Sequence, residues 1–241
     1  MCETCGCGDE HVVSVDLHER ILAANDGAAR HNREHFAELG VLAINLMGSP
    51  GSGKTALIEA TARAASNRDL RISALSGDLA TDRDGERLRA AGIPAATITT
   101  GSACHLDAAM VHHGLHDLAW RDRDLLFIEN VGNLVCPAVY DLGQAANVVA
   151  LSVTEGEDKP LKYPVMFRKA DLVVLTKADL LPHLPEVCVE SLEDALGQVM
   201  PKPRMIVVST RTGQGMQEWM SWLGERLPRR PSRDPAPPRQ N

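Results

Sequence analysis

The stretch from Val41 to Thr55 reads VLAINLMGSPGSGKT and decides the fold of this chain. Its apolar first half predicts a buried parallel strand. The second half matches the pattern G-x-x-x-x-G-K-[ST] and leads into the helical segment ALIEATARAA. A strand, a glycine loop and a helix in this order are typical of a loop that binds phosphate groups. The sequence therefore predicts an α/β protein, a three-layer P-loop NTPase fold with a mostly parallel sheet and helices on both faces.

The fixed positions of this loop each have a chemical reason. The glycines let the backbone wrap a phosphate chain with its N–H groups pointing inward. Lys54 is expected to reach the β- and γ-phosphates, and the hydroxyl of Thr55 to bind Mg²⁺. A glycine turn that serves packing alone is the alternative, and the intact flanking elements argue against it. The loop residues predicted to hold the nucleotide are Gly48, Ser49, Gly51, Ser52, Gly53, Lys54 and Thr55.

The bulk composition excludes several classes of partner. The net charge of −7 and the aromatic content of 3% argue against a nucleic-acid surface. No apolar run approaches the roughly 18 residues of a membrane span, and the amino terminus lacks the pattern of a secretory signal. We therefore expect a cytoplasmic chain with no membrane partner. In that reducing compartment its six cysteines are expected to bind metal or react rather than pair.

The first eight residues, MCETCGCG, form a cluster of thiols at Cys2, Cys5 and Cys7. Three sulfurs and the free α-amino group suit square-planar Ni²⁺, but also Zn²⁺ or Cu⁺. Incidental cysteines in a disordered tail, or a disulfide, are the alternatives.

The sequence divides into a metal-binding tail (1–14), a linking region (15–40) with one helix from Val15 to Leu39, the P-loop domain (41–227) and a disordered Pro/Arg-rich tail (228–241).

Two acidic residues follow predicted strands at the edge where α/β folds bind ligands. Asp78 follows the strand at 70–75 and is the candidate ligand of Mg²⁺. Its alternative role is to cap the helix that begins at Arg83, although Thr81 and Asp82 are better placed for that role.

Glu129 ends the strand DLLFIE and occupies the Walker B position. It is expected to polarise a water molecule or to hold Mg²⁺ through its hydration shell. Gly132, three residues later, is a candidate donor of a backbone N–H to the γ-phosphate.

The segment Thr176-Lys177-Ala178-Asp179 matches the guanine motif [NT]-K-x-D. A carboxylate at Asp179 can accept both N1–H and the 2-amino group of guanine, a pair that adenine does not offer. The stem of Lys177 would lie over the base, and Ser209 and Thr210 would meet the guanine carbonyl through backbone N–H groups. A strand-to-helix turn capped by Asp179 is the alternative.

A second metal site is predicted from Cys104, His105 and Cys136, which follow the ends of two strands. A buried cysteine with a capping neighbour is the alternative for the first two. Cys188 is interpreted as a buried apolar residue. The remaining histidines on helical segments are interpreted as surface residues: His31, His35, His112, His113 and His116.

Together these motifs resemble the HypB family, the hydrogenase nickel-incorporation GTPases of the dimerising P-loop class. The resemblance rests on GSPGSGKT, GDLATDRD, TGSACHLDA, FIENVGNLVCP, SVTEGEDKPLKYP, TKADLLP and the terminal MCETCGCG. It implies GTP-controlled delivery of Ni²⁺ to the large subunit of [NiFe]-hydrogenase, with other maturation proteins as partners and a homodimer as the active form. Two features depart from the family: a long histidine-rich run is absent after the first cysteines, and Thr176 replaces the commoner Asn.

The resemblance also implies roles for individual residues. The terminal cysteines would form a high-affinity nickel site, and the core cluster a second site for Ni²⁺ or Zn²⁺ near the dimer contact. The residues that would serve GTP, Mg²⁺ and the base are Lys54, Thr55, Asp78, Glu129 and Asp179. Hydrolysis by water is expected to be slow, because no water-positioning glutamine or arginine finger is recognisable. A urease-accessory-like GTPase, a small-molecule kinase and a GTP-controlled metal buffer are the alternatives.

Overall fold

The computed structural model describes residues 10–101 and 103–228, with side chains from residue 20 onward. The predicted terminal metal site (Cys2, Cys5 and Cys7) lies outside the described residues, as does nearly all of the Pro/Arg-rich tail. No helix in the described ranges is long and apolar enough to cross a membrane.

Seven parallel strands form one sheet in the order β3-β2-β4-β1-β5-β6-β7. The strands are β1 (Leu42–Met47), β2 (Ile72–Asp78), β3 (Ala95–Thr99), β4 (Leu125–Glu129), β5 (Ala146–Ser152), β6 (Leu172–Thr176) and β7 (Met205–Val207). The predicted parallel sheet is present, and the predicted fold class is confirmed. The strand order reverses around β1 and β4, which creates a crevice at the carboxyl ends of these two strands.

The helices cover both faces of the sheet. They are α1 (Glu10–Glu38), α2 (Lys54–Ala65), α3 (Arg83–Ala90), α4 (Ala108–Gly114), α5 (Lys159–Lys162), α6 (Pro164–Lys169), α7 (Val189–Val199) and α8 (Met216–Gly224). The first helix begins at Glu10 rather than Val15. Helix α4 ends at Gly114, and the chain continues as a 3₁₀ turn, Leu115–Asp117. Glycine is a poor helix former, and this one packs tightly against Ile98.

Strand β1 is buried along its whole length because both of its faces meet a hydrophobic layer. Leu42, Ile44 and Leu46 pack into the layer formed with α2 and α8, whereas Ala43 packs into the layer formed with α1 and α4. A central parallel strand with two covered faces reads as a continuous apolar run rather than an alternating one. This is the reason that the sequence signal of β1 is so strong.

Helix α1 is fastened to the domain by buried asparagines. The amide of Asn32 is fully buried and donates to the carbonyl oxygens of Ala108 (2.8 Å) and Leu142 (3.1 Å). Asn25 donates to Asp141 O at 2.8 Å and accepts from Ala108 N at 2.9 Å. The two asparagines therefore bind the backbone at the start of α4, so the linking helix is an integral part of the domain surface.

We predict that Asn32→Ala lowers the free energy of unfolding by about 1–3 kcal/mol, because two buried carbonyl groups lose their donor. The expected loss is smaller than two such groups can cost, because Oδ1 of Asn32 has no hydrogen-bond partner in the part of the chain that the structure describes. The substitution removes this unpaired buried atom as well. Urea unfolding monitored by circular dichroism measures the change. Glu34→Ala is the matched control, because Glu34 is exposed on the same helix. Equal unfolding midpoints for the two variants would contradict this account of the anchor.

Candidate nucleotide and metal sites

A cavity of about 590 Å³ opens at the carboxyl ends of the central strands. Four predicted segments line it: the phosphate loop, the segment after β2, the segment after β4, and Lys177. Its volume is in the range of sites that hold small-molecule ligands and cofactors. The topology therefore brings together motifs that lie far apart in the sequence.

The phosphate loop has the backbone that its glycines allow. Gly48 has φ +146°, and a Cβ atom there would collide with the carbonyl oxygen of Ala150. The hydroxyl groups of Ser49 and Ser52 are buried, and neither has a hydrogen-bond partner among the described residues. Such orphaned donors fit a phosphate group, which would accept from them. The residues present therefore fit the predicted ligand.

Lys54 begins α2 at the mouth of the loop. Its Nζ atom donates to the carbonyl oxygens of Gly48 (3.2 Å) and Ser49 (3.1 Å). Burial lowers the pKa of Lys54, and the nearby carboxylates of Glu129 and Asp84 partly offset that effect. A buried ammonium group beside the loop backbone is suited to receive a polyphosphate.

Three oxygen ligands meet at Thr55. Its Oγ1 atom lies 2.8 Å from Glu129 Oε1 and 3.0 Å from Asp84 Oδ1. Burial raises the pKa of Glu129 to about 7, against the opposing effects of Lys54 and of the hydrogen bond from Thr55. The second carboxyl oxygen of Glu129 is buried, and no described residue forms a hydrogen bond with it. A hydroxyl and two carboxyl groups within this distance form a donor set that suits a hard cation such as Mg²⁺.

Asp84 is a site residue that the sequence analysis missed. It lies in the first turn of α3, and it lines the cavity beside Thr55. An acidic residue at a helix start reads in sequence as a favourable partner of the helix dipole, which hides this second role. The sequence did offer one clue to this role of Asp84: its helix follows directly after a strand that carries a candidate Mg²⁺ ligand.

Asp78 lines the cavity, but its carboxylate is engaged in the turn that follows β2. Its Oδ1 atom accepts from the backbone N–H groups of Ala80 (2.9 Å) and Thr81 (2.7 Å), and these bonds lower the pKa of Asp78. The expectation that Thr81 and Asp82 would leave it free was wrong. Asp82 occupies the first position before α3 without capping it, because its carboxylate bonds to Arg89 and Thr97.

Thr176 ties the predicted base loop to the phosphate loop. Its Oγ1 atom donates to Ser52 O at 2.6 Å, and its side chain lies against Gly53. The replacement of the commoner Asn therefore leaves a side chain that still bonds to the phosphate loop. Lys177, the next residue, has φ +59° and turns the chain toward the cavity that it lines.

Asp179 is held by a neighbouring hydroxyl. Ser209 Oγ donates to Asp179 Oδ1 at 2.7 Å, which lowers the pKa of Asp179, and Arg211 Nη1 lies 4.0 Å from Oδ2. A positioned, ionised carboxylate is what recognition of the two guanine donors requires. The predicted backbone contact from Ser209 to the base was wrong, because its N–H donates to Gln214 O at 3.0 Å. The contact from Thr210 stays a prediction.

The segment after β4 lies directly on the phosphate loop. A Cβ atom at Gly132 would lie 2.8 Å from the ring of Pro50, so only glycine fits this approach. Asn133 pairs with Gly48 through an isolated β-bridge. Gly132 therefore lies at the phosphate end of the cavity, as its predicted contact with the γ-phosphate requires.

The three predicted core metal ligands converge. The Sγ atoms of Cys104 and Cys136 are 3.1 Å apart, His105 Nδ1 lies 3.9 Å from Cys104 Sγ, and one ligand atom of each lies within 4.8 Å of the others. Two sulfurs that are each about 2.3 Å from one ion are about 3.3–3.8 Å apart, so a small shift suffices to bind one. The convergence is confirmed, whereas metal binding stays a prediction.

The surroundings of His105 favour a neutral imidazole. Its ring stacks on Tyr140 with ring centroids 4.0 Å apart, and burial lowers the pKa of His105. A neutral imidazole is the form that binds metal. The hydrogen bond between the two thiols raises the pKa of Cys136, and burial and the proximity of Cys104 raise it further.

A chain of buried amides joins the metal cluster to the nucleotide cavity. Asn130, which follows Glu129, accepts from Leu106 N at 3.2 Å and donates to Asn45 Oδ1 at 3.1 Å. Asn45 in turn donates to Asn147 Oδ1 at 3.0 Å. These bonds connect the residue after His105 to strands β4, β1 and β5, so the cluster and the cavity share one framework.

Two interpretations of single residues were wrong. Cys188 is exposed rather than buried, and its Sγ atom lies 3.2 Å from Glu190 Oε2. His35 and His112 are half-buried rather than surface residues, and they lie beside the exposed His31.

Comparison with known proteins gives a consistent result. The family described as CobW/HypB/UreG, nucleotide-binding domain, matches residues 42–207. The hydrogenase maturation factor HypB of Rhizobium leguminosarum bv. viciae is 51% identical over 218 residues, which are 90% of this chain and 72% of the relative. The chain belongs to the HypB family. Its membership implies that the P-loop cavity binds and hydrolyses a nucleotide.

Solved structures of the HypB family share the fold. The HypB structure from Archaeoglobus fulgidus matches with a TM-score of 0.78 at 44% identity, covering 86% of this chain and all of that one. The HypB structure from Helicobacter pylori in complex with nickel matches with a TM-score of 0.78 at 37% identity, covering 87% of this chain and all of that one.

We predict that Glu129 makes the nucleotide-free domain less stable as the pH rises. Below pH 4.5 this carboxyl is protonated in both the folded and the unfolded chain. Between its unfolded pKa of 4.5 and its folded pKa of about 7, only the unfolded chain releases the proton. Its contribution to the free energy of unfolding therefore falls by about 2–3 kcal/mol between pH 5 and pH 8.

Glu129→Gln removes this dependence, because the amide has no proton to release. Urea unfolding of both chains at pH 5 and pH 8 measures the difference, and the other titrating groups cancel in the comparison. Glu193→Gln, at an exposed position, is the control and should follow the wild-type curve. Parallel curves for wild type and Glu129→Gln would refute the assignment.

Proposed function

We propose that this chain is a GTP-hydrolysing nickel chaperone that delivers Ni²⁺ to the large subunit of [NiFe]-hydrogenase during maturation. The observation that carries the proposal is the position of Cys136. It lies on the segment that begins at Glu129 and touches the phosphate loop through Gly132. A single stretch of backbone therefore carries the proposed metal ligand at one end and the proposed nucleotide contact near the other.

GTP is the proposed nucleotide, because the carboxylate of Asp179, which Ser209 holds in place, can accept from two donors on one edge of guanine. Mg²⁺ would be held by Thr55 with Asp84 and Glu129 close by, and Asp78 would contribute through water. The metal would neutralise charge on the β- and γ-phosphates together with Lys54.

Hydrolysis is proposed to be slow. Among the described residues that line the cavity there is no glutamine. The guanidinium group of Arg87 is held by a bidentate pair of bonds to Glu59, both 2.7 Å long. An arginine engaged in this way does not serve as an arginine finger. The site therefore suits a switch that keeps its triphosphate state for a long time.

Nickel binding and nucleotide state are proposed to influence each other through the segment 129–136. A γ-phosphate that accepts from Gly132 would fix this segment against the phosphate loop, and Cys136 moves with it. Asn130 transmits the same displacement to Leu106 and hence to His105. By thermodynamic reciprocity, nickel at the cluster would then alter the affinity for the triphosphate by an equal factor.

A homodimer is proposed to form at the face that carries the core cluster. Val135 and Val139 flank Cys136 and are exposed, at 48% and 42%. Large exposed apolar side chains beside a metal cluster favour an interface. The core cluster would take Ni²⁺ or Zn²⁺, and the terminal cysteines Cys2, Cys5 and Cys7 would form a separate nickel site. The hydrogenase large subunit and other maturation proteins would be the partners.

The base specificity gives one prediction. Asp179→Asn should weaken GTP binding by roughly 100-fold, because two hydrogen bonds to a carboxylate are lost or weakened. It should bind xanthosine triphosphate better than the wild type does, since the amide can donate to the 2-carbonyl group and accept N1–H. Calorimetric titration of wild type and Asp179→Asn with GTP and with xanthosine triphosphate measures this change in nucleotide preference.

Glu186→Gln, which changes an exposed carboxylate to an amide, is the control for this substitution. Turnover of GTP by wild type and by Lys54→Ala is measured alongside it. Unchanged GTP affinity in Asp179→Asn would rule out guanine recognition at this residue. Nickel binding without Lys54-dependent turnover would favour a metal buffer.

The metal role gives a second prediction. Cys136→Ser should remove one equivalent of Ni²⁺ in equilibrium dialysis under reducing conditions, because serine replaces a thiolate ligand with a hydroxyl group. In the wild type, the nickel affinity of the core cluster should differ between the complex with GDP and the complex with a non-hydrolysable GTP analogue.

Cys188→Ser is the matched control, since Cys188 is exposed and lies outside the cluster. It should retain the full nickel stoichiometry. Equal stoichiometry in both serine variants would show that the core cysteines are structural and would remove the basis of the switch.

A further inference from the structure

A cluster of imidazoles lies between the first and fourth helices, apart from the cysteine site. His31 and His35 are one turn apart on α1, and His112 reaches them from α4. The ring centroids are 4.2 Å apart for His31 and His35, 5.1 Å for His31 and His112, and 5.9 Å for His35 and His112. One ring nitrogen of each residue lies within 4.8 Å of those of the other two.

The surroundings of His112 favour a neutral imidazole, which is the form that binds metal. Each imidazole is positively charged when protonated, so close neighbours repel. Burial lowers the pKa of His112, and the neighbouring histidines lower it further. Nδ1 of His112 is buried, and it has no hydrogen-bond partner among the described residues. Buried polar atoms in folded proteins are normally satisfied, so an unpaired nitrogen in a group of three imidazoles points to a ligand.

We propose that His31, His35 and His112 form a further metal site, which binds a borderline divalent cation through imidazole nitrogens alone. Three neutral imidazoles suit Ni²⁺, Zn²⁺ and Cu²⁺, whereas hard cations such as Mg²⁺ prefer oxygen. His116, exposed and one turn beyond His112, has its ring centroid 5.2 Å from that of His112 and is available as a fourth ligand. The proposed site has imidazole ligands, whereas the two cysteine clusters have thiolate ligands. In a reducing environment, where the thiols stay reduced, it would bind its ion less tightly than the cysteine clusters do.

The position of this site gives it a structural consequence. Helix α4 begins shortly after Cys104 and His105, and Asn25 and Asn32 of α1 bind the backbone at Ala108. A cation bound by ligands from both helices would join α1 to α4 a second time, close to the cysteine cluster. The proposed site would therefore act as a clamp on the helix that connects the terminal cysteines to the domain.

The decisive experiment uses the full chain without an affinity tag and with Cys2, Cys5, Cys7, Cys104 and Cys136 replaced by serine. This variant removes both thiolate sites and leaves the histidines intact. Equilibrium dialysis with Ni²⁺ should retain one equivalent. Co²⁺ bound to the same variant should show d–d absorption without a sulfur-to-metal charge-transfer band.

His31→Gln/His35→Gln in that background should abolish the remaining equivalent. His31 is exposed and glutamine is a good helix former, so the substitution is not expected to unfold α1. His113→Gln/His183→Gln is the matched control, because both residues are exposed and lie outside the three-histidine group. It should retain the equivalent of nickel.

A second readout tests the clamp without relying on stoichiometry. Ni²⁺ or Zn²⁺ should raise the Tm of the five-serine chain, because a ligand that binds only the folded state stabilises it. The rise should disappear when His112→Gln is added to that chain, whose metal-free Tm serves as its own reference. The proposal is overturned if the five-serine chain binds no nickel, or if the His31→Gln/His35→Gln variant binds it as the control does.

Discussion

The hydrogen bonds of the Asn130 side chain connect the parts of this domain that carry chemistry. Its amide lies in the buried interior, where an unpaired polar group would cost more than a surface one. It accepts from Leu106 and donates to Asn45, and Asn45 continues the chain of bonds to Asn147. These bonds link the end of β4 to β1 and β5 beneath the phosphate loop, in addition to the backbone pairing of the strands.

This network explains how a domain without a large moving part can relate two ligands. The segment after β4 has its start fixed by Asn130, its middle pressed on Pro50 and its end at Cys136. A small displacement at either end of the segment is expected to move the rest of it, because packed interiors shift between discrete arrangements rather than deforming smoothly. Under the proposed function, the short length of this segment would couple a change at the phosphate to a change at the Cys136 sulfur.

Much of this was accessible from the sequence. Strand positions and the phosphate loop follow from local patterns, and the convergence of Cys104, His105 and Cys136 follows from their places after parallel strands. The roles of Asn45 and Asn130 do not, since a polar residue in an apolar run reveals nothing about which strand lies beside it. The histidine group escaped for a similar reason: periodicity places His31 and His35 on one face, but only the packing of α1 on α4 brings His112 to them.

The bond from Thr176 to the backbone of Ser52 has a consequence for the timing of the nucleotide cycle. One such bond contributes about 1 kcal/mol, and it couples the position of the proposed base loop to that of the phosphate loop. In the proposed function, a diphosphate and a triphosphate would meet these two loops in the same way. Discrimination between them would then arise at the far end of the cavity, where Glu129, Asp84 and Gly132 lie, and release of the product would be favoured when both loops move together.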